Sequence, residues 1–389
     1  MYYIGIDVSK YKHDCCVLSN SKDGIIAQFT FSNDANGFNE LLKYLDSFNE
    51  SNNIRICFES TAHYTLNLKL ALEKANYSFM EVNPILISKF IKSHSLRKTK
   101  TDVCDSLSIA QWLLTAEYKP HPKNFYYSYS LKSLTRLRES LVKQRSLFLV
   151  KITNVLDHIF PEYKPFFNNK LTPTSIFIIS NFLNATNIAN LSDEDYKKIR
   201  SFSKGKFNTI KFIELKRIAS TTIGETNQFF DSQLQILLNL YNNINAQVED
   251  LEEKIIKYIN DINPNFLSIP GIGEISAAII YSEFGDISKF DSPAKMLSFA
   301  GLDPGYYQSG TTDYNGKMVK HGSSYLRYAL MNVCIPLVLN NPCFAKYYEK
   351  KKSEGKHFNV IRSHIVKKLL RVIYTLEKHN IKYNQQKLV

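Results

Sequence analysis

The sequence predicts an α/β domain at its N-terminus and an all-α domain at its C-terminus, joined by long basic and coiled-coil helices. Three observations carry that expectation. Short β-rich runs alternate with helical periods over residues 1–118, a heptad seam runs without a miss from 230 to 258, and apolar helical sequence resumes at Pro264. The expected division is therefore 1–118, 119–263 and 264–389, pieces of ordinary domain size.

The first three runs, YYIGIDV, DCCVLS and IIAQFTF, are linked by short polar turns and predict an antiparallel meander. GFNELLKYLDSF follows with Phe38, Leu41, Leu42 and Leu45 on one helical face. IRICFE is a strand, YTLNLKLALEKA a helix and FMEV a strand, and PILISKFIKS and DVCDSLSIAQWLL are helical. The order β-β-β-α-β-α-β-α is that of the ribonuclease-H-like fold. PHPKNFYYSY, at 120–129, carries two prolines and is expected to be a linker. A basic helix is expected over about 131–160, and short helices over 161–224 with a capping-box start at Ser192–Asp195. In the seam, Phe230, Leu234, Leu237, Tyr241, Ile244, Val248, Leu251, Ile255 and Tyr258 alternate steps of four and three. A coiled-coil seam of that length needs an equally long partner, either a second protomer or the 131–160 helix. IPGIGEISAAII then sets a Gly-Ile-Gly hairpin ahead of an apolar helix, as in helix-hairpin-helix modules. There Gly271 and Gly273 would let backbone approach a phosphate, and the same residues equally suit a tight αα turn with no ligand.

The chain of 389 residues is 44% apolar and carries a net charge of +13, which excludes a wholly disordered protein. That charge is segregated. Residues 1–119 carry 13 Lys/Arg against 13 Asp/Glu, whereas 320–389 carry 14 against 3 and 120–151 carry seven against Glu139 alone. Segregation of this kind is the electrostatic footprint of a polyanion-binding protein. The six cysteines show no C-x-x-C spacing, and most of them, lying in apolar runs, are expected to be core residues in a reducing compartment. No basic n-region followed by an apolar stretch opens the chain and no run reaches about 18 apolar residues, so a cytoplasmic protein is expected.

Two constellations carry chemistry. Asp7 lies inside the first strand and Glu59 ends another, and a buried strand acid is costly unless it faces something positive. Asp102 and Asp105, three apart, share one face of a helix. Brought together by a ribonuclease-H-like sheet, the four acids would hold Mg²⁺, two ions being the expected number. Such ions polarise a phosphodiester and stabilise the attacking and leaving oxygens. The second candidate is Ser309 in GLDPGYYQSGTTDYNGKMVKHGSSYLRYAL, which by its residues is either an ordinary turn serine or a nucleophile with Lys317, Lys320, His321 and Arg327 as a phosphate cradle. Arg136, Arg138, Lys143 and Arg145 on the basic helix are further expected nucleic-acid contacts.

The motifs GIDVSK, FESTAHY, VNP and KTDVCDSLSIA, then LSIPGIGEISAAII, FAGLDP, QSG and KHGSSYLRYAL, occur in an order and spacing that resembles transposases of the insertion sequence 110 family, which are similar to the Piv DNA invertases. The resemblance implies a RuvC-like domain whose metal site is Asp7, Glu59, Asp102 and Asp105. It also implies a C-terminal transposase domain in which Ser309 becomes covalently linked to DNA. It further implies double-stranded DNA (element ends and target) as substrate, a structured guide RNA (the bridge RNA), and a dimer or tetramer with a composite active site. Ala62-His63 stands where the family pattern has Thr-Gly, Ser323 and Ser324 are further serines near the motif, and the tail after about 340 is lysine-rich and departs from the pattern. Two other functions are compatible with the residues: a metal-only junction resolvase in which water attacks, and a non-catalytic nucleic-acid-binding protein.

Overall fold

The computed structural model describes residues 1–389 except 20–23, 49–52, 62, 95–101, 122–124, 226, 310–311 and 386–389. The side chains of Asp102, Ser309 and Lys317 also lie outside the described residues. The chain divides into two compact units, Met1–Tyr127 and Ser128–Val389.

In the first unit the strands are β1 (Tyr2–Val8), β2 (Lys12–Leu18), β3 (Ile25–Ser32), β4 (Ile54–Glu59) and β5 (Phe79–Val82), and the helices are α1 (Ala35–Asp46), α2 (Thr65–Lys74), α3 (Pro84–His94) and α4 (Asp102–Thr115). The sheet order is β3-β2-β1-β4-β5. β1 pairs antiparallel with β2 and parallel with β4, the ribonuclease-H-like arrangement expected from the element order. β1 and β4 read as nearly continuous apolar runs because both faces of the sheet are covered. Ile4, Ile6, Ile56 and Phe58 are fully buried on one face. On the other, Tyr3, Cys16, Leu18 and Cys57 form a core with Ile109, Ala110 and Leu113 of α4.

One glycine sets how closely α4 approaches. A Cβ on Gly5 would lie 2.3 Å from the Ser106 carbonyl oxygen and 2.4 Å from the Ala110 nitrogen, so the helix crosses β1 in van der Waals contact with its backbone. Gly5→Ala forces that crossing apart. We expect a stability loss of about 3 kcal/mol, read from a urea or thermal melt of the full chain.

The second unit is helical except for one hairpin. Its elements are α5 (Phe125–Ile159, its first residues in the preceding unit), α6 (Tyr163–Phe166), α7 (Pro173–Phe182), α8 (Ala185–Ala189), α9 (Asp193–Phe202), α10 (Thr209–Ser220), α11 (Gln228–Ile262), α12 (Glu274–Phe284), α13 (Pro293–Phe299), β6 (Pro304–Ser309), β7 (Thr312–Met318), α14 (Ser324–Asn340), α15 (Pro342–Ser353) and α16 (Phe358–Lys378). The expected all-α C-terminal domain is corrected by β6 and β7. PGYYQS and TDYNGKM are strands, and only two residues separate the closing pair Ser309–Thr312. The expected linker at 120–129 is shorter than its composition suggested, since α5 already begins at Phe125. Aromatic residues tolerate a helix, and the proline signal ends at Pro122.

The long partner that the 230–258 seam requires is in the same chain. Arg138 pairs with Glu252, Arg145 Nη1 donates to Asn245 Oδ1 at 2.7 Å, and His158 stacks on Phe230. Rising numbers on α5 meet falling numbers on α11, so the two helices run antiparallel. Leu234, Val248, Leu251 and Ile255 of the seam are buried, whereas Tyr258 is 40% exposed and Ile259 takes its place. Leu238 likewise replaces Leu237 as the fully buried residue. A helix of 3.6 residues per turn drifts from a strict heptad by about 20° per repeat, which moves the buried stripe at both ends. Each end of the pair feeds its own core. Leu131, Leu251, Ile255 and Ile259 pack with α12, α14 and α16, while Ile152, Leu156, Leu234 and Leu238 pack with α7 to α10. The capping box predicted at Ser192–Asp195 opens α9.

Among the described residues no single helix is long and apolar enough to cross a membrane. Cys15, Cys16, Cys57 and Cys334 are buried free thiols. Burial pushes Cys57 up to about 12 and Cys334 up to about 11, as expected of inert core residues.

Candidate active site

The acids of the first unit are placed by strand register. β1 and β4 pair in parallel with Gly5 opposite Cys57 and Ile6 opposite Phe58, so Asp7 and Glu59 follow at the C-terminal ends of neighbouring strands. Paired residues share a face, and alternation puts Asp7 with Gly5 and Glu59 with Cys57, on the side that α4 covers. Asp105 precedes Ser106, whose carbonyl marks the crossing of α4 over Gly5. Three of the four predicted carboxylates are thus within a residue or two of one crossing. Each of Asp7, Glu59 and Asp105 is half-buried. Asp102 is the first residue of α4, one turn before Asp105.

A fifth acid, not among those expected from the sequence, joins the same face. Asp14 of β2 is opposite Asp7 in the antiparallel register and therefore on the same face. It is 4% exposed, accepts a hydrogen bond from Thr30 Oγ1 at 2.6 Å and has Lys12 Nζ at 3.4 Å. The criterion that singled out Asp7 and Glu59, an acid inside an apolar strand, applies equally to DCCVL.

These donors are all hard carboxylate oxygens. Among the described residues no three His, Cys, Asp or Glu side chains are grouped as a metal cage. Mg²⁺ does not require one: it is held by one or two carboxylates and keeps its other positions for water and substrate phosphate. An Asp7–Glu59 pair on adjacent strand ends fits that demand.

Ser309 is the last residue of β6, at the tip of the hairpin. The base of the hairpin is fastened elsewhere. Val319 and Lys320 donate to the carbonyls of Asp303 and Gly301, each at 3.1 Å, and Arg327 Nη1 donates to Ala300 O at 3.2 Å and to Gly322 O. FAGLDP and KHGSS thus clamp one another. Five strand steps separate Pro304 from Ser309, about 16 Å. The structure does not bring Lys320, His321 and Arg327 to the serine as a cradle: Arg327 holds the base, and exposed Lys320 and His321 lie beside it.

The basic helix holds less free charge than its composition suggests. Arg136 Nε and Nη2 donate to Glu283 Oε1 and Oε2 at 2.7 and 3.1 Å, and its guanidinium lies 4.6 Å from the Tyr325 ring centroid. Arg138 and Arg145 face α11 as described, and exposed Lys143 pairs with Glu139 at 2.7 Å. Gly271 has φ +98, and a Cβ there would lie 2.6 Å from the Pro336 carbonyl oxygen, so its close approach is to α14. Gly273, the N-cap of α12, has open space around it and borders a cavity of about 500 Å³ with Gly271, Ser276, Asn332 and Asn340. Burial alone would raise the Glu283 carboxyl, but the Arg136 hydrogen bond and the charges of Lys132 and Arg136 hold it below its usual range. Arg136→Ala should therefore cost about 3 kcal/mol at neutral pH, because it strips the main partner from a buried carboxylate. A depressed folded-state pKa stabilises above the unfolded value and is lost as pH falls through the folded one. The deficit should accordingly shrink in melts below about pH 4.

Comparison with known proteins gives this geometry a family. Residues 4–161 match a family model described as Transposase, of the IS110 DEDD type, and residues 263–349 match the Transposase IS116/IS110/IS902 family. The chain is 22% identical to the pilin gene-inverting protein of Moraxella bovis over 99% of this chain and 98% of the relative. It is 21% identical to the mini-circle putative transposase for IS117 of Streptomyces coelicolor, over 95% and 92%. Among solved structures, Thermus thermophilus RuvC is 12% identical and matches 31% of this chain and 100% of its own with a TM-score of 0.25. The class is that of DNA transposase and recombinase enzymes. The chain belongs to the IS110 family of transposases.

Proposed function

We propose that this transposase cuts and rejoins DNA through two cooperating parts, a carboxylate site in the first unit and a serine on the hairpin of the second. The observation that carries this reading is the placement of Asp7 and Glu59 on adjacent strand ends beneath α4, with Asp105 at the crossing. Asp7, Glu59, Asp102 and Asp105 would hold Mg²⁺, two ions being the natural complement of four acids. When bound, the metal supplies Lewis-acid stabilisation of a phosphodiester in displacement. Ser309 supplies the nucleophile. Its hydroxyl oxygen forms a bond to phosphorus while the bond from phosphorus to the departing DNA oxygen breaks, and the hydroxyl proton ends on that leaving oxygen. One phosphoester replaces another, so a later DNA hydroxyl can reverse the step without an external energy source.

A hairpin tip fastened at its base suits presentation of the serine to a carboxylate site of a neighbouring subunit in a dimer or tetramer. A structured guide RNA would select the element ends and target. Purified protein incubated with element-end DNA, guide RNA and Mg²⁺ should leave a protein–DNA adduct on a denaturing gel, and none in EDTA. Nicking without any adduct would favour the water-attack mechanism instead.

A further inference from the structure

A second basic site lies on the last two helices of the second unit. Tyr347 of α15 and His364, Lys367, Lys368 and Arg371 of α16 line a cavity of about 300 Å³. The four α16 positions follow helical spacing and form one stripe beside the buried Ile365, Leu369 and Val372. None of the four falls within the segments matched to the family.

The cations of this pocket differ in what they do. Lys368 is built into the wall: its Nζ contacts the Cys343 carbonyl oxygen at 3.2 Å and Sγ at 3.0 Å, and sits over the rings of Phe344 and Tyr347. Lys351, nearby on α15, is paired with Glu354 at 2.7 Å. Among the described residues, the side chains of Lys367 and Arg371 have no hydrogen-bond or ion-pair partner. His364 feels this excess: burial first, then Lys351, Lys367 and Lys356, hold it below its ordinary pKa against the opposing pull of Glu354. Uncompensated positive charge gathered in a concave site is complementary to an anion.

We infer that the α15–α16 pocket seats backbone phosphate of the DNA, as a contact separate from the catalytic parts. From His364 to Arg371 the stripe rises about 10 Å, roughly three nucleotide steps of a strand. That length suits a tracked backbone better than a single free phosphate. Exposed Lys346, Lys350 and Lys352 on α15 add to the positive field around it. The inference rests on the chain being a DNA transposase and not on the carboxylate–serine chemistry, so its test uses binding alone.

Binding of the full chain to a duplex DNA probe is measured by fluorescence anisotropy across a KCl series. In Lys367→Gln/Arg371→Gln the slope of log affinity against log salt should fall by about two, and in Arg371→Gln alone by about one. The charge-keeping Lys367→Arg/Arg371→Lys should restore most of the slope. Lys204→Gln/Lys206→Gln, a charge-matched change in the exposed α9–α10 turn, should leave it unchanged. Melting curves should not move, since neither pocket residue has a partner to lose. An unchanged slope in both pocket variants overturns the inference. So does an equal fall in the α9–α10 control, or a fall seen only with an RNA probe.

Discussion

Asp7→Asn is expected to abolish Mg²⁺-dependent strand cleavage, by about a thousandfold, while leaving the protein folded and bound to DNA. The amide is isosteric, so packing around β1 is retained and only the charge is removed. The loss should be largest at this position because Asp7 is on the central strand, between Glu59 on β4 and Asp14 on β2. Three carboxylates on one face repel one another in the absence of a cation. Holding them together is costly, and under the proposed function a divalent ion would offset that cost. Removing one of them should then leave the melting temperature unchanged or raise it, and should reduce the stabilisation that added Mg²⁺ gives the wild type. Glu59→Gln should behave in the same way. The decisive measurements are a nicking assay and a Mg²⁺-dependent melt on the same preparations. Wild-type cleavage by Asp7→Asn would remove the carboxylates from the mechanism. A collapse of the melting temperature would make Asp7 a structural residue.

The first unit was legible almost throughout, for a physical reason. Its strands are short β-branched and aromatic runs punctuated by turns, and the acids interrupt those apolar runs. Asp14 opens the run DCCVLS beside the polar SKYKH, and only the strand register puts it opposite Asp7. Long-range pairing was harder to see. The heptad seam announced a partner without saying which, and the identity of α5 emerges only from contacts such as Arg138–Glu252 and Arg145–Asn245. The same contacts show why a charge count over 120–151 overstates the surface available to nucleic acid: Glu283, on α12 far along the chain, neutralises Arg136 from a buried position. The hairpin was hidden for another reason. Gly, Ser, Thr, Asp and Asn dominate it, and they signal turns more strongly than the interleaved Tyr306, Tyr307 and Tyr314 signal strands.

That hairpin frames the second large effect. Ser309→Ala is expected to eliminate the covalent protein–DNA adduct and recombination together, while DNA affinity stays within about twofold of the wild type, because one hydroxyl at a ribbon tip contributes little binding area. Stability should also be unchanged, since the clamp that fixes the hairpin is at its base, through Arg327, Gly301 and Asp303. Two neighbouring serines allow a sharper comparison. Ser323 caps α14 by accepting from the Leu326 nitrogen, so Ser323→Ala should cost about 1 kcal/mol of stability and leave the adduct intact. Ser324 is the first residue of α14 and should be similarly dispensable for the chemistry. If Ser323→Ala rather than Ser309→Ala abolished the adduct, the nucleophile would be at the hairpin's base, beside Arg327. If Ser309→Ala recombined normally, the hairpin would serve binding alone and the attacking group would be water at the carboxylates. Mixing the Asp7→Asn and Ser309→Ala proteins extends the test to assembly. Each is inactive alone, and recovery of activity in the mixture requires that one subunit lend its serine to the carboxylates of another. No recovery would put both parts of the site in the same chain.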